Sequence, residues 1–345
     1  MMRLPRFQFH APASLAEAVD RLASAAPGDA MLIAGGTDLV PNMKRRQQVP
    51  GTLIALRRVT ELQRITNGEA FTIGAGVTLT KLIQALQSAP PALVGLRQAA
   101  SQIATPHLRN MGTIGGNICL DTRCNYYDQN YEWRKAIDFC MKKDGETCWV
   151  ATSSPKCLAV SSTDTAPMLI ALGATVSLAT AEGTRTIPLT DLYRNDGIHY
   201  LTRRPLEVLT AIRIPRLEGW RSTYWKLRRR GSFDFPVVSV AAALRVAPDG
   251  TAQDGRIVLG AVASRPMAIE ASTAGLVGAR LGSLTDDQIA SAAERAAVPA
   301  RPMDNTDFGL VWRKRLVKEL IGCALRELRG DDMRDARRRI ARMLL

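Results

Sequence analysis

The feature that most restricts this chain is a pair of glycine-rich loops. The first, Gly35-Gly36-Thr37-Asp38-Leu39, is entered directly from the short apolar run Ala30-Met31-Leu32-Ile33-Ala34. The second is Asn110-Met111-Gly112-Thr113-Ile114-Gly115-Gly116-Asn117. A buried strand ending on two glycines lets backbone N–H groups approach a ligand closely, because no Cβ stands in the way. Neither loop has the Lys-Ser/Thr pair of a Walker loop or the GxGxxG spacing of a dinucleotide fingerprint. Taken alone, the first loop reads more readily as an ordinary strand-ending turn. Two loops together point further, because a large dinucleotide needs several backbone-lined contacts along its diphosphate.

A chain of 345 residues is long enough for two or three cores, and its 46% hydrophobic residues are spread without long apolar runs. A membrane span is not expected, and the N-terminal segment has no apolar signal region, so a cytoplasmic protein is expected. In that compartment the six cysteines read as free, redox-active or metal-bound rather than as a disulfide framework. The net charge of +14 peaks at Lys44–Arg46, Arg228–Arg230 and Arg337–Arg339 without interleaved aromatics, which argues against nucleic acid. An acidic electron-transfer protein is the better partner for this charge, although a solvated surface accounts for any single run. With only His10, His107 and His199 in the chain, no Ser/His/Asp or metal-hydrolase set can be assembled.

In chain order, Ser14 and Glu17 form a capping-box pattern that starts a helix with Leu15, Ala18, Val19 and Leu22 on one face, stopped by Pro27-Gly28. Strands are expected over 52–56 and 71–76, and helices over 80–86 and 91–103. Beyond the second glycine loop the pattern predicts strands at 175–180, 184–188 and 207–214, with a short helix at 189–193. Pro215 to Gly219 breaks it, and a domain boundary is expected there. Strands at 224–227, 237–246 and 256–263 precede helices at 285–297 and 308–328, an antiparallel sheet covered by helices. The last segment, 333–345, reads as a basic helix with Ile340, Met343 and Leu344 on its apolar side.

Four stretches in this order resemble the flavin-binding subunits of the molybdenum hydroxylases: AGGTDL at 34–39, RNMGTIGGN at 109–117, SSTDTAP at 161–167 and YWKLRRRGSFDFPVVSVAAAL at 224–244. The resemblance covers nearly the whole chain. It implies an α+β protein with a vanillyl-alcohol-oxidase (PCMH) type FAD-binding fold of two subdomains, 1–56 and 57–217, plus a C-terminal antiparallel-sheet and helix domain, 218–345. It further implies that Ile33, Ala34, Gly35, Gly36, Thr37, Asp38 and Leu39 form one side of the FAD diphosphate cradle. Asn110, Thr113, Gly115, Gly116 and Asn117 would form the other side. Asp164 would bind ribityl or ribose hydroxyls, and Lys226 would lie near the flavin, where a cation meets the negative charge of the reduced ring.

Between the GGN loop and the SSTD stretch about forty residues intervene, 121–160, a length that needs a function or an anchor. Cys124, Cys140, Cys148 and Cys157 lie within it. Their spacing matches neither the compact ferredoxin run nor a zinc ribbon, so spacing leaves a zinc site, a cluster or unrelated thiols open. A cysteine-bearing insertion at this point resembles the middle subunits of the 4-hydroxybenzoyl-CoA reductases. That resemblance implies a 4Fe-4S cluster on the four thiolates; the neighbouring Tyr126, Tyr127, Tyr131, Trp133, Phe139 and Trp149 are expected to shield the sulfurs or to pack the loop as its own small core. Cys119, directly after GGNI, is expected at the pocket wall and Cys323 on the apolar face of the 308–328 helix with Leu316, Leu320 and Leu328, both as core and not as ligands. The implied partners are a small 2Fe-2S subunit and a large molybdopterin subunit, in a dimer of heterotrimers, with acidic ferredoxin as donor. Electrons would pass through cluster and FAD toward reductive dehydroxylation. The alternative is the FAD subunit of an oxidising molybdenum hydroxylase of the xanthine or CO dehydrogenase kind.

Overall fold

In a computed structural model the chain is described over residues 3–343, apart from 27, 232, 271, 272 and 274. Pro27 of the expected helix stop and Leu344 of the terminal helix therefore lie outside the described residues. The N-terminal strands form a three-stranded parallel sheet in the order Gln8–His10, Thr52–Ala55, Ala30–Ile33. Helix Leu15–Ser24 packs Ala18, Val19 and Leu22 against it. Ser14 caps this helix, its hydroxyl accepting from Glu17 N at 3.2 Å. The box closes one residue early, because Glu17 accepts from Ala13 N and not from the cap itself.

A second sheet of five strands is antiparallel, in the order Ile65–Asn67, Phe71–Gly74, Val208–Ile214, Thr175–Thr180, Gly183–Pro188. The stretch expected as one helix over 91–103 divides into a 3-10 turn, Pro91–Leu93, and helix Val94–Ser101. The third sheet runs Met267–Ile269, Ala252–Gly260, Val238–Val246, Trp220–Leu227, all antiparallel. It is buried on both faces, which is why Val238–Val246 reads as an almost unbroken apolar run and not an alternating one. Ala241, Ala243 and Tyr224 join the core around helices Val94–Ser101 and Thr165–Ala171. Val240, Ala242, Leu244 and Trp225 face helices Asp286–Ala297 and Leu310–Arg329. The period of two thus sends alternate residues of one strand to two different cores, and this sheet carries Lys226 toward the middle of the molecule.

The insertion leaves the fold through a narrow neck. Arg123 and Val160 exchange both backbone hydrogen bonds, at 2.8 and 2.7 Å. Inside the neck a short helix, Tyr131–Ala136, is capped by Asn130, whose side chain accepts from Trp133 N at 2.9 Å. Arg134 is fully buried beneath Tyr131 and Phe139, 6.0 and 5.8 Å from their rings. It donates to Arg45 O at 3.4 Å, while Asn125 N donates to Asn305 O at 3.0 Å on the other flank. The loop is therefore anchored on both sides. Among the described residues no helix is long and apolar enough to cross a membrane.

Candidate functional site: a flavin cavity beside a four-thiol void

A cavity of about 640 Å³ opens where the parallel sheet, the antiparallel sheet and the insertion meet. That volume is in the range of small-molecule and cofactor sites. One wall is Ile33 through Leu39 and the facing wall includes Asn110, Thr113, Gly115, Gly116 and Asn117. The two glycine loops touch each other. A Cβ on Gly35 would stand 2.5 Å from Met111 C and 2.9 Å from Gly112 N, so only glycine permits this approach. Gly36 has a φ of +69°, a left-handed conformation that glycine adopts without steric cost. The cradle has no room for side chains but leaves space for a diphosphate, which is the fit expected of a dinucleotide cofactor.

Asn117 joins the second loop to the third motif. Its side-chain oxygen accepts from Thr163 Oγ1 at 2.9 Å, Thr165 N at 3.0 Å and Thr165 Oγ1 at 2.6 Å. This fixes Asp164 on the cavity wall. Asp164 accepts from Tyr224 Oη at 2.7 Å and pairs with Lys226 Nζ at 2.9 Å. Burial pushes the Asp164 carboxyl up and the Lys226 ammonium down from their ordinary values, and their pairing opposes both shifts. Lys226 also donates to Gln102 O at 3.1 Å and Asp234 O at 3.0 Å. It is not among the residues lining the cavity and stands behind Asp164, which it orients.

Arg123 lies on the insertion side of the cavity, buried and ion-paired to Asp38 and Asp128. It donates to Asn42 Oδ1 at 3.0 Å and stands 4.8 Å from the Phe235 ring. Its Nε is buried with no partner. Burial raises the pKa of Asp38 above the usual carboxylate value, and Arg123 opposes the shift. As an anion, Asp38 serves the cradle better by holding Arg123 than by meeting phosphate.

On the far side of Arg123, Cys124, Cys140, Cys148 and Cys157 all line one small void, with Tyr126, Met141, Lys142, Trp149, Val150 and Ala159. No histidine or carboxylate is in that wall. All four thiols are buried. Burial pushes the Cys124 thiol up to about 12 and the Cys157 thiol to about 11. Asp138 and Phe139, with φ of +58° and +57°, take consecutive left-handed conformations just before Cys140. Non-glycine residues in such conformations mark positions that the surrounding structure overrides, and they gather at functional sites. Among the described residues no group of three or more His, Cys, Asp or Glu could hold one metal ion. Four thiols lining one void, without histidine or carboxylate, form a donor set common to iron–sulfur and zinc chemistry.

Residues 5–217 match the family described as the FAD binding domain in molybdopterin dehydrogenase, and residues 222–328 match the CO dehydrogenase flavoprotein C-terminal domain. The chain belongs to the FAD-binding medium subunits of the molybdenum hydroxylase family. It is 34% identical to the aldehyde oxidoreductase FAD-binding subunit PaoB of Escherichia coli, over 72% of this chain and 80% of that one. It is 30% identical to the carbon monoxide dehydrogenase medium chain of Afipia carboxidovorans, over 85% and 88% of the two chains. The carbon monoxide dehydrogenase structure from Hydrogenophaga pseudoflava superposes with a TM-score of 0.74 at 28% identity, covering 95% of this chain and 99% of that one. The PCMH-type FAD-binding fold with its C-terminal flavoprotein domain is thereby shown, and with it an oxidoreductase subunit that carries an FAD-binding domain.

Within this medium subunit every residue expected at the cofactor lines the cavity except Lys226. The expected aromatic shield is corrected in part. Tyr126 and Trp149 line the void, but Tyr131 and Trp133 are 44% and 38% exposed, and Phe139 packs on Tyr131 at 5.7 Å. The Tyr131 and Phe139 rings lie over Arg134 instead, and Trp133 packs on Tyr126 at 6.5 Å. Cys119 lines the flavin cavity, whereas Cys323 is in the core of the C-terminal domain. The sequence reading missed Arg123, Tyr200 and Phe235, all on the cavity wall. A lone arginine beside the first insertion cysteine was the only available signal.

Proposed function

We propose that this chain is the electron-carrying FAD subunit of a molybdenum hydroxylase complex and that Cys124, Cys140, Cys148 and Cys157 hold a 4Fe-4S cluster beside the flavin cavity. The observation that carries the cluster is the void lined by all four thiols and by no histidine or carboxylate. Bound FAD supplies two-electron storage with release one electron at a time. The chain's own residues bind and insulate. Backbone N–H groups of the two glycine loops would hold the diphosphate and Asp164 would accept from a sugar hydroxyl, while Arg123 puts a buried positive charge on the wall. Partners of this reading are a small 2Fe-2S subunit and a large molybdopterin subunit.

The relatives that carry the names aldehyde oxidoreductase and carbon monoxide dehydrogenase favour an oxidising complex, with electrons leaving the molybdenum subunit through the 2Fe-2S clusters to this chain. One observation favours a second reading, the reductive type found in 4-hydroxybenzoyl-CoA reductase: the four-thiol insertion itself. There an acidic ferredoxin would donate at the basic, aromatic surface of the insertion, and electrons would run toward molybdenum.

The test is anaerobic purification followed by iron, sulfide, zinc and flavin analysis, with each of the four cysteines replaced by serine. About four iron and four sulfide per FAD, with iron lost and FAD kept in the replacements, supports the proposal. FAD without iron, or zinc in its place, overturns the cluster. Turnover of the whole complex with carbon monoxide or aldehydes, against reduction of 4-hydroxybenzoyl-CoA, separates the two directions.

A further inference from the structure

One buried ion pair stands between the flavin cavity and the four-thiol void, and neither set of ligands needs it. Lys142 lines the void and Asp121 lines the flavin cavity. Lys142 Nζ is 2.8 Å from Asp121 Oδ1, and the side chains are 6% and 7% exposed. The same ammonium donates to Thr122 Oγ1 at 2.8 Å and to Gly197 O at 2.7 Å, so all three of its protons are used. It stands 4.8 Å from the Tyr127 ring and 5.6 Å from the Tyr200 ring. Asp121 is held in turn by Tyr127 Oη at 3.2 Å and Gln48 Nε2 at 3.3 Å. Gly197 ties this group to the thiols. A Cβ on it would stand 2.6 Å from Cys157 Sγ, and its N–H donates to Cys157 O at 2.9 Å.

Packing alone does not explain a charge here. A buried ion pair loses the hydration of both groups, and a well-packed apolar pair of the same volume is often as stable. The other buried cation of the partition, Arg123, is compensated by two carboxylates, Asp38 and Asp128. Lys142 has one, and that one lies on the flavin side.

We propose that Lys142 is an electrostatic tuning residue: its ammonium, anchored by Asp121, raises the reduction potential of the centre that the four thiolates hold. The proposal rests on the reading that these thiols carry an iron–sulfur cluster. Reduction adds one negative charge at the void, and a fixed, buried cation in its wall favours that state. Asp121 acts with the opposite sign from farther off. Cluster net charge and the polar groups around the sulfurs are the levers by which a protein sets such a potential.

The two charges predict opposite shifts, which a merely structural role cannot produce. The experiment is an EPR-monitored redox titration of the anaerobically purified complex carrying wild-type chain, Lys142→Gln or Asp121→Asn, with iron and FAD measured on each sample. Lys142→Gln is expected to lower the reduced-to-oxidised ratio at a fixed poise about tenfold, a shift of about 59 mV to more negative potential for a one-electron couple. Asp121→Asn is expected to shift the potential to more positive values. Iron-loaded variants whose potentials do not move, or move in the same direction, overturn the tuning role alone. If Lys142→Gln fails to retain iron, Asp121→Asn decides: a positive shift supports the proposal and any other result overturns it. Iron-free wild-type protein overturns the cluster reading and this inference with it.

Discussion

The contact between the two glycine loops gives the most direct test of the flavin cavity. In Gly35→Ala the new methyl carbon would stand 2.5 Å from Met111 C and 2.9 Å from Gly112 N. Ordinary carbon contacts lie at about 3.5–4.0 Å, so the loops must part by about 1 Å. The three nearest atoms it meets, Met111 O closest of all, are backbone, and no rotamer change relieves the clash. Overpacking of this kind costs about 1–3 kcal/mol, and the upper end applies because the backbone itself must move. That cost falls on the geometry that binds the diphosphate, so about 3 kcal/mol becomes a loss in FAD affinity on the order of 100-fold. The assay is the FAD-to-protein absorbance ratio after gel filtration, followed by titration of the apoprotein with FAD. Gly68→Ala is the control, since a Cβ there meets nothing within 4 Å. Wild-type FAD affinity in Gly35→Ala would refute the account of the cradle.

Three further outcomes are expected. Removing one partner of the Arg123–Asp38 pair leaves a largely buried charge uncompensated, so Arg123→Met and Asp38→Asn should show a coupling of at least about 1 kcal/mol in a double-mutant cycle of thermal stability. Arg185 holds Glu207 by two hydrogen bonds, at 2.6 and 2.9 Å, which lower its carboxyl pKa below the usual value. The folded value is thus below the unfolded one, so this stabilisation is complete above the ordinary carboxylate range and is lost as pH falls through the lowered value. Glu207→Gln should flatten the acid limb of a stability–pH curve, with a loss near neutral pH of about 1 kcal/mol after allowance for solvent screening at the partly exposed Arg185. Replacing residues 124–159 with Asn-Gly should keep FAD and abolish iron, read by flavin and iron analysis, because Arg123 and Val160 already form a hairpin-like pair.

Most of the elements were legible because they are local. The strand Thr175–Thr180 has the bounds its pattern predicts, and the helix Asp286–Ala297 follows the capping box of Thr285 and Gln288. Strand Ala252–Gly260 begins four residues before the expected start at 256, in the polar run Ala252-Gln253-Asp254-Gly255. Its ladder is set by Leu244, Arg245 and Val246 on the neighbouring strand, not by its own propensity. It stops at Gly260 because Ala261 has a φ of +60°. The cradle residues could be read through the family resemblance of the two glycine motifs, since a strand-ending glycine pair by itself suits an ordinary turn. Arg123, Tyr200 and Phe235 could not, since each reaches the cavity from a separate segment of the chain, and Asp38 and Arg123 are 85 residues apart. The aromatic shield was legible only in part for a related reason: composition gives no orientation, so Tyr126 and Trp149 line the void while Tyr131 and Trp133 are partly exposed.

The neck explains how an insertion of this length coexists with a flavin fold. The chain leaves helix Ile114–Ile118 and lines the cavity with Cys119, Leu120, Asp121 and Arg123 before it reaches Cys124. The two sites therefore share a wall that is only a few residues thick. The returning chain meets Arg123 at Val160 and leads at once into Ser161, whose N–H donates to Ala263 O at 2.9 Å, and then to Asp164. Because the ends are paired, the length between them is nearly free in loop-closure entropy, each doubling adding only about 0.6 kcal/mol. Any chain that fits above the neck is thus compatible with the flavin cavity below it. What the present insertion adds is a thiol-lined void beside that cavity, behind a wall that carries both the Lys142–Asp121 pair and Arg123, so that charge in this wall is felt on both sides.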